Sequence, residues 1–397
     1  MGRVNRLRER RSRWMAALGR IAEPRNAAIG TFVCAALFAA AWINSQGRHI
    51  GHLQPGAPEL RADSRYNQDA TRIVEKFDLG LDVLSVVVET PKDGCYDHAT
   101  MEYLNQFGWQ MANVPGVVSV TSVAWLAKQA FSGFNEGNPK WAALPRDPKS
   151  LANAISLAPE GSGLYNPGCT VLPVHLYLAD HKASTIKAVT GAVKAFRDAN
   201  PDPRIAVRLA SGNVGVQAAT NEVLETTELR MMLYVYLTIV ALVFVTYRDW
   251  RAMLACCLPL TLATLLGYWF MKELEIGLTV ATLPVMVLAV GIGVDYAFYI
   301  YNRLQLYLAQ GVDIVTAFKQ SLRETGIATI FTALTLSVGV ATWSFSELKF
   351  QADMGLLLTF MFMINMIMAI TLLPALAVMI DLLIPRRGPV RSPLLSH

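Results

Sequence analysis

The residue best placed to do chemistry is an aspartate inside an apolar run. In "AVGIGVDYAFYIYNR" (289–303), Asp295 interrupts a stretch otherwise free of charge from Glu275 to Arg303. At the centre of a membrane helix an aspartate costs about 2.5–3.5 kcal/mol on insertion scales, so it must face protein or water. Such an acid serves either as a reversible proton carrier or as a structural hydrogen-bond or helix-pairing contact. Steps of three and four residues put Leu288, Gly291, Asp295, Tyr299 and Asn302 on one helical stripe, narrow before the acid and polar after it. Tyr296 adjoins the acid, and Gly291 and Gly293 would let a neighbouring helix approach closely. In the next apolar run Thr325, Thr329, Thr332 and Gly339 recur at helical spacing, with Thr335 beside them. Asn365 lies in the run after that. Hydroxyls and an amide can hydrogen-bond a carboxyl in either protonation state, as a carrier needs. Threonine and asparagine also satisfy local backbone or join helices, so the reading rests on Asp295.

The elements that must position this acid follow from composition. The chain has 397 residues, 53% hydrophobic and 16% charged, against about a quarter charged in soluble domains, which points to a membrane. Six uncharged runs lie between Arg25 and Arg48, Arg230 and Arg248, Arg251 and Lys272, Glu275 and Arg303, Glu324 and Glu347, and Asp353 and Asp381. Each is long enough to cross a core of about 30 Å as a helix. Expected spans are 26–47, 230–248, 252–271, 276–302, 325–346 and 354–381. Residues 276–302 have their midpoint at 289, which puts Asp295 roughly 9 Å toward the cytoplasm at 1.5 Å per residue.

Residues 1–25 carry eight arginines against Glu9 and Glu23, a net of +6, which exceeds the +5 of the whole chain. This segment reads as a cytoplasmic anchor beside anionic lipid rather than a nucleic-acid surface, and no small-residue cleavage site marks it as a signal peptide. Arg248 and Arg251, then Arg303, Lys319 and Arg323, then Arg386, Arg387 and Arg391 fall on its side, so both termini are expected in the cytoplasm. An amphipathic linker, 303–324, and a tail, 382–397, would share that side. The loops "KELEIG" and "SELKFQAD" and the long segment 48–229 would lie opposite.

That long segment has strand candidates at 84–90, 116–123, 171–179 and 204–210, with helices at 97–113 and 182–199. Strand–helix–strand twice over predicts a split βαβ sheet of four strands. The fold class is thus an α-helical membrane protein with six transmembrane helices and an α+β ferredoxin-like periplasmic domain between spans one and two. Residues 124–170 form an insertion, and 211–229 read as a helix leading into span two. In such a sheet strands one and three are antiparallel neighbours. Cys95, after the first, and Cys169, before the third, are therefore expected within disulfide reach. Cys34, Cys256 and Cys257 fall in spans as packing residues.

No nucleophile motif, phosphate-binding loop, paired carboxylates or metal-ligand spacing occurs, so neither an enzyme nor a resident metal or cofactor is expected. An intramembrane acid leaves the proton gradient as the energy source, with protons as the coupling ion.

"GIGVDYAFYIYNR" resembles the fourth-span motif of the resistance–nodulation–division (RND) superfamily, in its MMPL and hydrophobe/amphiphile-exporter branch. "TGIATIFTALTLSVGVATWSFSELKFQADMGLLLTFMFMINMIMAITLLPALAVM" (325–379) is similar to that branch's fifth and sixth spans, and "VPGVVSVTSV" (114–123) resembles a periplasmic strand. One span, an outer domain and five spans is the same layout. The resemblance implies proton-driven export of lipids or other amphiphiles, with Asp295 as the protonatable carboxylate and Tyr296 beside it in the relay. Tyr299, Asn302, Thr329, Thr332 and Asn365 would support that relay. Typical members carry two such halves in one chain. Residues 47–77 resemble the start of the second half's outer domain. A C-terminal piece, a split gene product and a dimerising half-transporter all remain open. The implied partners are a second six-span half, from a separate chain or a homodimer, a hydrophobic or lipid substrate, and periplasmic accessory proteins; the implied location is the bacterial inner membrane. A second functional class is a non-transporting lipid-sensing or secretion-accessory subunit, since six-span units of this kind also resemble sterol-sensing domains. Such a sensor could lose the acid, which is present here.

Overall fold

The computed structural model describes residues 17–77, 80–158, 161–386, 390 and 392–393. Most of the basic segment expected at 1–25, up to position 16, lies outside the described residues, as does most of the tail beyond 386. The chain divides into two compact units, Ile50–Val223 and a helical unit made of Met1–His49 with Leu224–His397.

Within the helical unit, α1 (Pro24–Ser45) is the first of six helices long and apolar enough to cross a membrane. The α/β unit holds α2 (Arg65–Lys76), β1 (Asp82–Glu89), α3 (His98–Ala112), β2 (Val117–Ser122), α4 (Val123–Phe134), α5 (Pro148–Ile155), β3 (Val171–Leu178), α6 (Ala183–Ala199) and β4 (Ala206–Ser211). Helix α7 (Asn213–Tyr247) begins in that unit and continues without a break into the helical one. The remaining helices are α8 (Trp250–Glu273), α9 (Thr282–Ala309), α10 (Ile314–Ala341) and α11 (Lys349–Leu383).

The strands form one antiparallel sheet in the order β2-β3-β1-β4. Alternation drives it. Leu84, Val86 and Val88 of β1 are opposite Leu176, Val174 and Leu172 of β3, and all six are fully buried. Against that face pack Met101, Leu104, Phe107 and Met111 of α3 and Ile186, Val189, Val193 and Phe196 of α6, each set at helical spacing. Burying a side chain of this size contributes about 1.5–3 kcal/mol. The insertion 124–170 carries α4 and α5, which pack on the same core through Ala127, Leu151 and Ile155.

Beyond β1 a short 3₁₀ turn (Gly94–Tyr96) brings Cys95 to Cys169, and the two are disulfide-bonded with Cα atoms 5.4 Å apart. The Thr90 hydroxyl donates to the Cys169 carbonyl at 2.9 Å beside them. The bridge ties the two central strands together at the end where the insertion leaves and returns.

Four helices of this unit start on carboxylate or hydroxyl caps, the first being α2, where the Ser64 hydroxyl accepts from the Asn67 N–H. The Asp97 side chain accepts from the Thr100 N–H, the Ser122 hydroxyl from the Trp125 N–H, and Asp147 from the Ser150 N–H. The Thr100 hydroxyl bond, reinforced by helix-end N–H groups, holds the Asp97 carboxyl below the usual carboxylate range. The Ser150 backbone N–H does the same for Asp147.

In the helical unit α8, α9 and α11 form the buried centre and α1, α7 and α10 the periphery. Several helices overrun the uncharged stretches. Helix α9 starts at Thr282, six residues later than span four was expected, and extends to Ala309. Its start is set by a reciprocal pair: the Thr282 hydroxyl accepts the Thr279 N–H at 2.8 Å, and Thr279 accepts the Thr282 N–H at 3.3 Å. The centre of the folded helix falls at Asp295. The expected linker 303–324 is mostly the ends of α9 and α10 around a turn at 310–313. The Asp313 carboxylate caps α10 by accepting from the Val315 and Thr316 N–H groups. "SELKFQAD" is likewise short as a loop, because Lys349 and Asp353 pair one turn apart inside α11.

Two outcomes are expected. Thiol alkylation followed by mass spectrometry should find Cys95 and Cys169 unreactive in protein from an oxidising compartment, and Cys95→Ala should destabilise the α/β unit by about 2–5 kcal/mol in denaturant unfolding. Because Asp97 titrates lower folded than unfolded, its stabilisation is full above about pH 3.9 and fades as pH falls through the folded value. Asp97→Asn keeps a cap that cannot titrate, so its unfolding midpoint should fall less than that of wild type on acidification from about pH 5 to 3.

Candidate functional site

Helix α9 has two different faces. Thr282, Met286, Ala289, Gly293, Tyr296, Ile300 and Leu304 recur every three or four residues and are buried in the bundle. The other stripe is exposed in the single chain: Leu288 and Tyr299 are each 52% exposed, and Gly291 and Asp295 lie between them. Asn302 is half-buried at its end. Asp295 sits at the middle of the 28-residue helix. Among the described residues no hydrogen bond or ion pair engages its carboxylate.

Asp295 and Tyr296, adjacent in sequence, are about 100° apart around the helix and lie on different stripes, one exposed and one buried. The Tyr296 ring is 1% exposed in the apolar core, and its buried hydroxyl has no partner among the described residues. The residues expected to support the acid are also divided. Thr329 is buried and its hydroxyl donates to the Thr325 carbonyl at 3.1 Å on its own helix. Thr332, Thr335 and Gly339 are exposed on α10, and Thr335 donates to the Phe331 and Thr332 carbonyls. Asn365 of α11 is buried, and its amide donates to the Ala289 carbonyl of α9 at 3.1 Å.

The two glycines act differently. A Cβ on Gly293 would come within 2.5 Å of the Asn365 amide, so the missing side chain is what admits Asn365 to α9. A Cβ on Gly291 would meet nothing within 4 Å. Gly293 thus lets α11 pack within the chain, whereas Gly291 belongs to the exposed stripe.

Sequence reasoning passed over the polar groups that hold the bundle around this stripe. The Tyr236 hydroxyl of α7 meets the Thr264 hydroxyl of α8 at 2.7 Å, and the Tyr247 hydroxyl donates to the Phe298 carbonyl of α9 at 3.3 Å. Gln305 donates to the Tyr247 carbonyl at 3.3 Å. At one end of the bundle Asp381 accepts from Arg251 at 3.1 Å and Arg386 at 2.9 Å. Elsewhere Arg48 pairs with the buried Glu228. The available signal was position: Arg48 and Glu228 flank the first two apolar runs, on the same side by topology. Among the described residues no group of three or more His, Cys, Asp or Glu could hold a metal ion.

The packing predicts a contrast between neighbouring glycines. Gly293→Ala should destabilise the helical unit by about 1–3 kcal/mol, because the Asn365 amide must be displaced from a filled core. Gly291→Ala should leave the unfolding of the single chain within about 0.5 kcal/mol of wild type. Thermal unfolding in detergent, followed by helix content, measures both.

The arrangement has counterparts. The sequence model of the MMPL family matches residues 61–391. A Methanocaldococcus jannaschii protein, the membrane protein MJ1562, is 22% identical over 309 residues, covering 75% of this chain and 77% of its own length. The membrane protein ActII-3 of Streptomyces coelicolor is 27% identical over 175 residues, covering 42% of this chain and 24% of its own length. With a family match over most of its length and six helices able to cross a membrane, the chain belongs to the MMPL family of multi-pass, transporter-like membrane proteins.

Proposed function

We propose that this protein exports lipids or other hydrophobic and amphiphilic molecules across the bacterial inner membrane, driven by the proton-motive force, as one half of an RND-type transporter. The observation that carries the reading is Asp295, mid-helix on the exposed stripe Leu288–Gly291–Asp295–Tyr299. Bare in hydrocarbon, a carboxylate there costs about 2.5–3.5 kcal/mol or more. A second six-span half, from another chain or a second copy, covers the stripe and lets water and polar groups reach the acid. Gly291 offers that partner a close approach, with no atom of its own chain near the space a side chain would fill.

On this reading both termini are cytoplasmic, and the α/β unit is a periplasmic, ferredoxin-like domain where accessory proteins act. The strand order β2-β3-β1-β4, with α3 between the first two strands and α6 between the last two, supports the ferredoxin-like assignment. Its Cys95–Cys169 bridge suits an oxidising compartment. Asp295 takes a proton from the outer side and releases it past Tyr299 and Asn302 to the cytosol. Its charge change biases two arrangements of α9, α10 and α11, and α7 carries the movement outward. The buried Tyr296 hydroxyl, which lacks a partner here, tunes the relay rather than carrying the proton.

Asp295→Asn keeps the size of the acid and cannot titrate. Expression should hold while export under an imposed pH gradient drops to background; export at the wild-type rate would sink the proton-coupled reading. Tyr296→Phe removes an unpartnered hydroxyl, which costs the fold little, and should slow export by no more than about tenfold, one step of about 1.4 kcal/mol. Cysteines at Leu288 or Gly291 should crosslink two halves, and a strictly monomeric particle that exports would contradict the paired assembly.

A further inference from the structure

The helical unit holds a buried acid away from the exposed Asp295 stripe. Glu228 of α7 is 4% exposed, and Arg48, just beyond the end of α1, meets it. Arg48 donates from Nε at 3.2 Å and Nη2 at 2.9 Å, both to Glu228 Oε2. The same guanidinium lies over the Tyr268 ring of α8, 4.8 Å from its centroid. One turn along α8, Lys272 donates to the Asn44 carbonyl at 3.2 Å and the Gln46 carbonyl at 3.4 Å. The Leu278 N–H donates to the His49 carbonyl at 2.8 Å. The chain leaving α1 is therefore fixed to α8 and to the segment before α9, and through Arg48 it is fixed to α7.

An ion pair with one buried partner, here Glu228 against a partly exposed Arg48, is a poor way to gain stability, because desolvating the carboxylate offsets much of the attraction. It does impose one geometry, and a guanidinium that is both doubly bonded and stacked imposes it more firmly than an ammonium. Its place in the chain gives that geometry a use. The polypeptide enters the α/β unit after His49 and returns before Leu224, so two passages join the units covalently. Arg48 belongs to the first and Glu228 to the second.

We propose that Arg48 and Glu228 form a coupling clamp, which makes α1 and α7 move as one body so that rearrangement of the bundle reaches the α/β unit through both passages together. The clamp rests on the export reading for its purpose, and on the bonds above for its existence. Both act as positioning residues, through each other and the Tyr268 ring, on a stripe apart from Asp295.

The test uses the full chain, with its partner half, in proteoliposomes. Glu228→Gln should leave Asp295-dependent proton flux running while export falls roughly tenfold, within the usual range of coupling between sites. Merely damaged packing would lower both. Arg48→Lys should fall between the two, and the exchanged pair Arg48→Glu with Glu228→Arg should restore export. Independently of transport, nitroxide labels at Ile43→Cys and Leu229→Cys, with Cys34, Cys256 and Cys257 replaced by alanine, should report one narrow distance. Glu228→Gln should broaden it and the exchanged pair should narrow it again. An unchanged distance in Glu228→Gln, or joint loss of flux and export without rescue, overturns the clamp. A wild-type protein that exports nothing under a gradient removes the export reading alone, and the label distances still decide the clamp.

Discussion

Hydrocarbon offers no partner to a charge or a free backbone group, and most of the helical unit follows from that constraint. Its ion pairs sit at or beyond the ends of the uncharged runs: Arg251 and Arg386 on Asp381, Arg48 on Glu228, Arg303 on Glu324, Lys319 on Glu23, Lys349 on Asp353. Between those ends, Asp295 is the exception. It lies at the centre of α9, on the stripe its own chain leaves uncovered, while the opposite face of the same helix is filled by Ala289, Gly293, Tyr296 and Ile300. A helix built for packing alone would carry an apolar residue there. Under the proposed reading, the cost of the carboxylate is what obliges a second half to cover the stripe.

Among the described residues, some polar contacts inside the bundle join helices, while threonines such as Thr329 and Thr335 bond within their own helix. Asn365 fastens α11 to α9 at the Ala289 carbonyl, and Tyr236 fastens α7 to α8 at Thr264. Small residues let these contacts form, as Gly293 does for Asn365. Helices pack through shape in this setting because lipid tails are as apolar as leucine, and close approach is the main source of attraction. Pro259 and Pro374 sit inside α8 and α11, both in the buried centre, where neighbouring helices can satisfy the freed backbone.

The α/β unit obeys the rules of water-soluble proteins. Its strand β3 alternates, four of its helices start on Asp or Ser caps, and one disulfide joins the ends of its two central strands. Sequence and structure agree closely there because each signal is local. Alternation marks β3, an apolar run marks β1, and amphipathic stretches at 97–113 and 182–199 mark α3 and α6, whereas α4 and α5 read only as an insertion. Within this unit the pairing of Cys95 with Cys169 follows from strand adjacency, which the order of strands and helices along the chain restricts to few arrangements.

For the protein as a whole, the sequence alone determined the six apolar helices, the α/β insertion, the site of the intramembrane acid and the family. The first three rest on composition, spacing and periodicity over a few turns, and the family on the resemblance of the quoted motifs. It did not determine where α9 begins, because the reciprocal Thr279–Thr282 cap lies inside an uncharged stretch that hydropathy cannot divide. Nor did it say which of two stripes, that of Gly291 and Asp295 or that of Gly293 and Tyr296, is filled by helices of the same chain. Helical spacing lists the residues on a stripe but does not say which stripe meets a neighbour. That depends on which helices are adjacent, a property of tertiary packing in a solvent that favours no face. The same is true of Arg48 and Glu228, 180 residues apart, which only the folded bundle brings together.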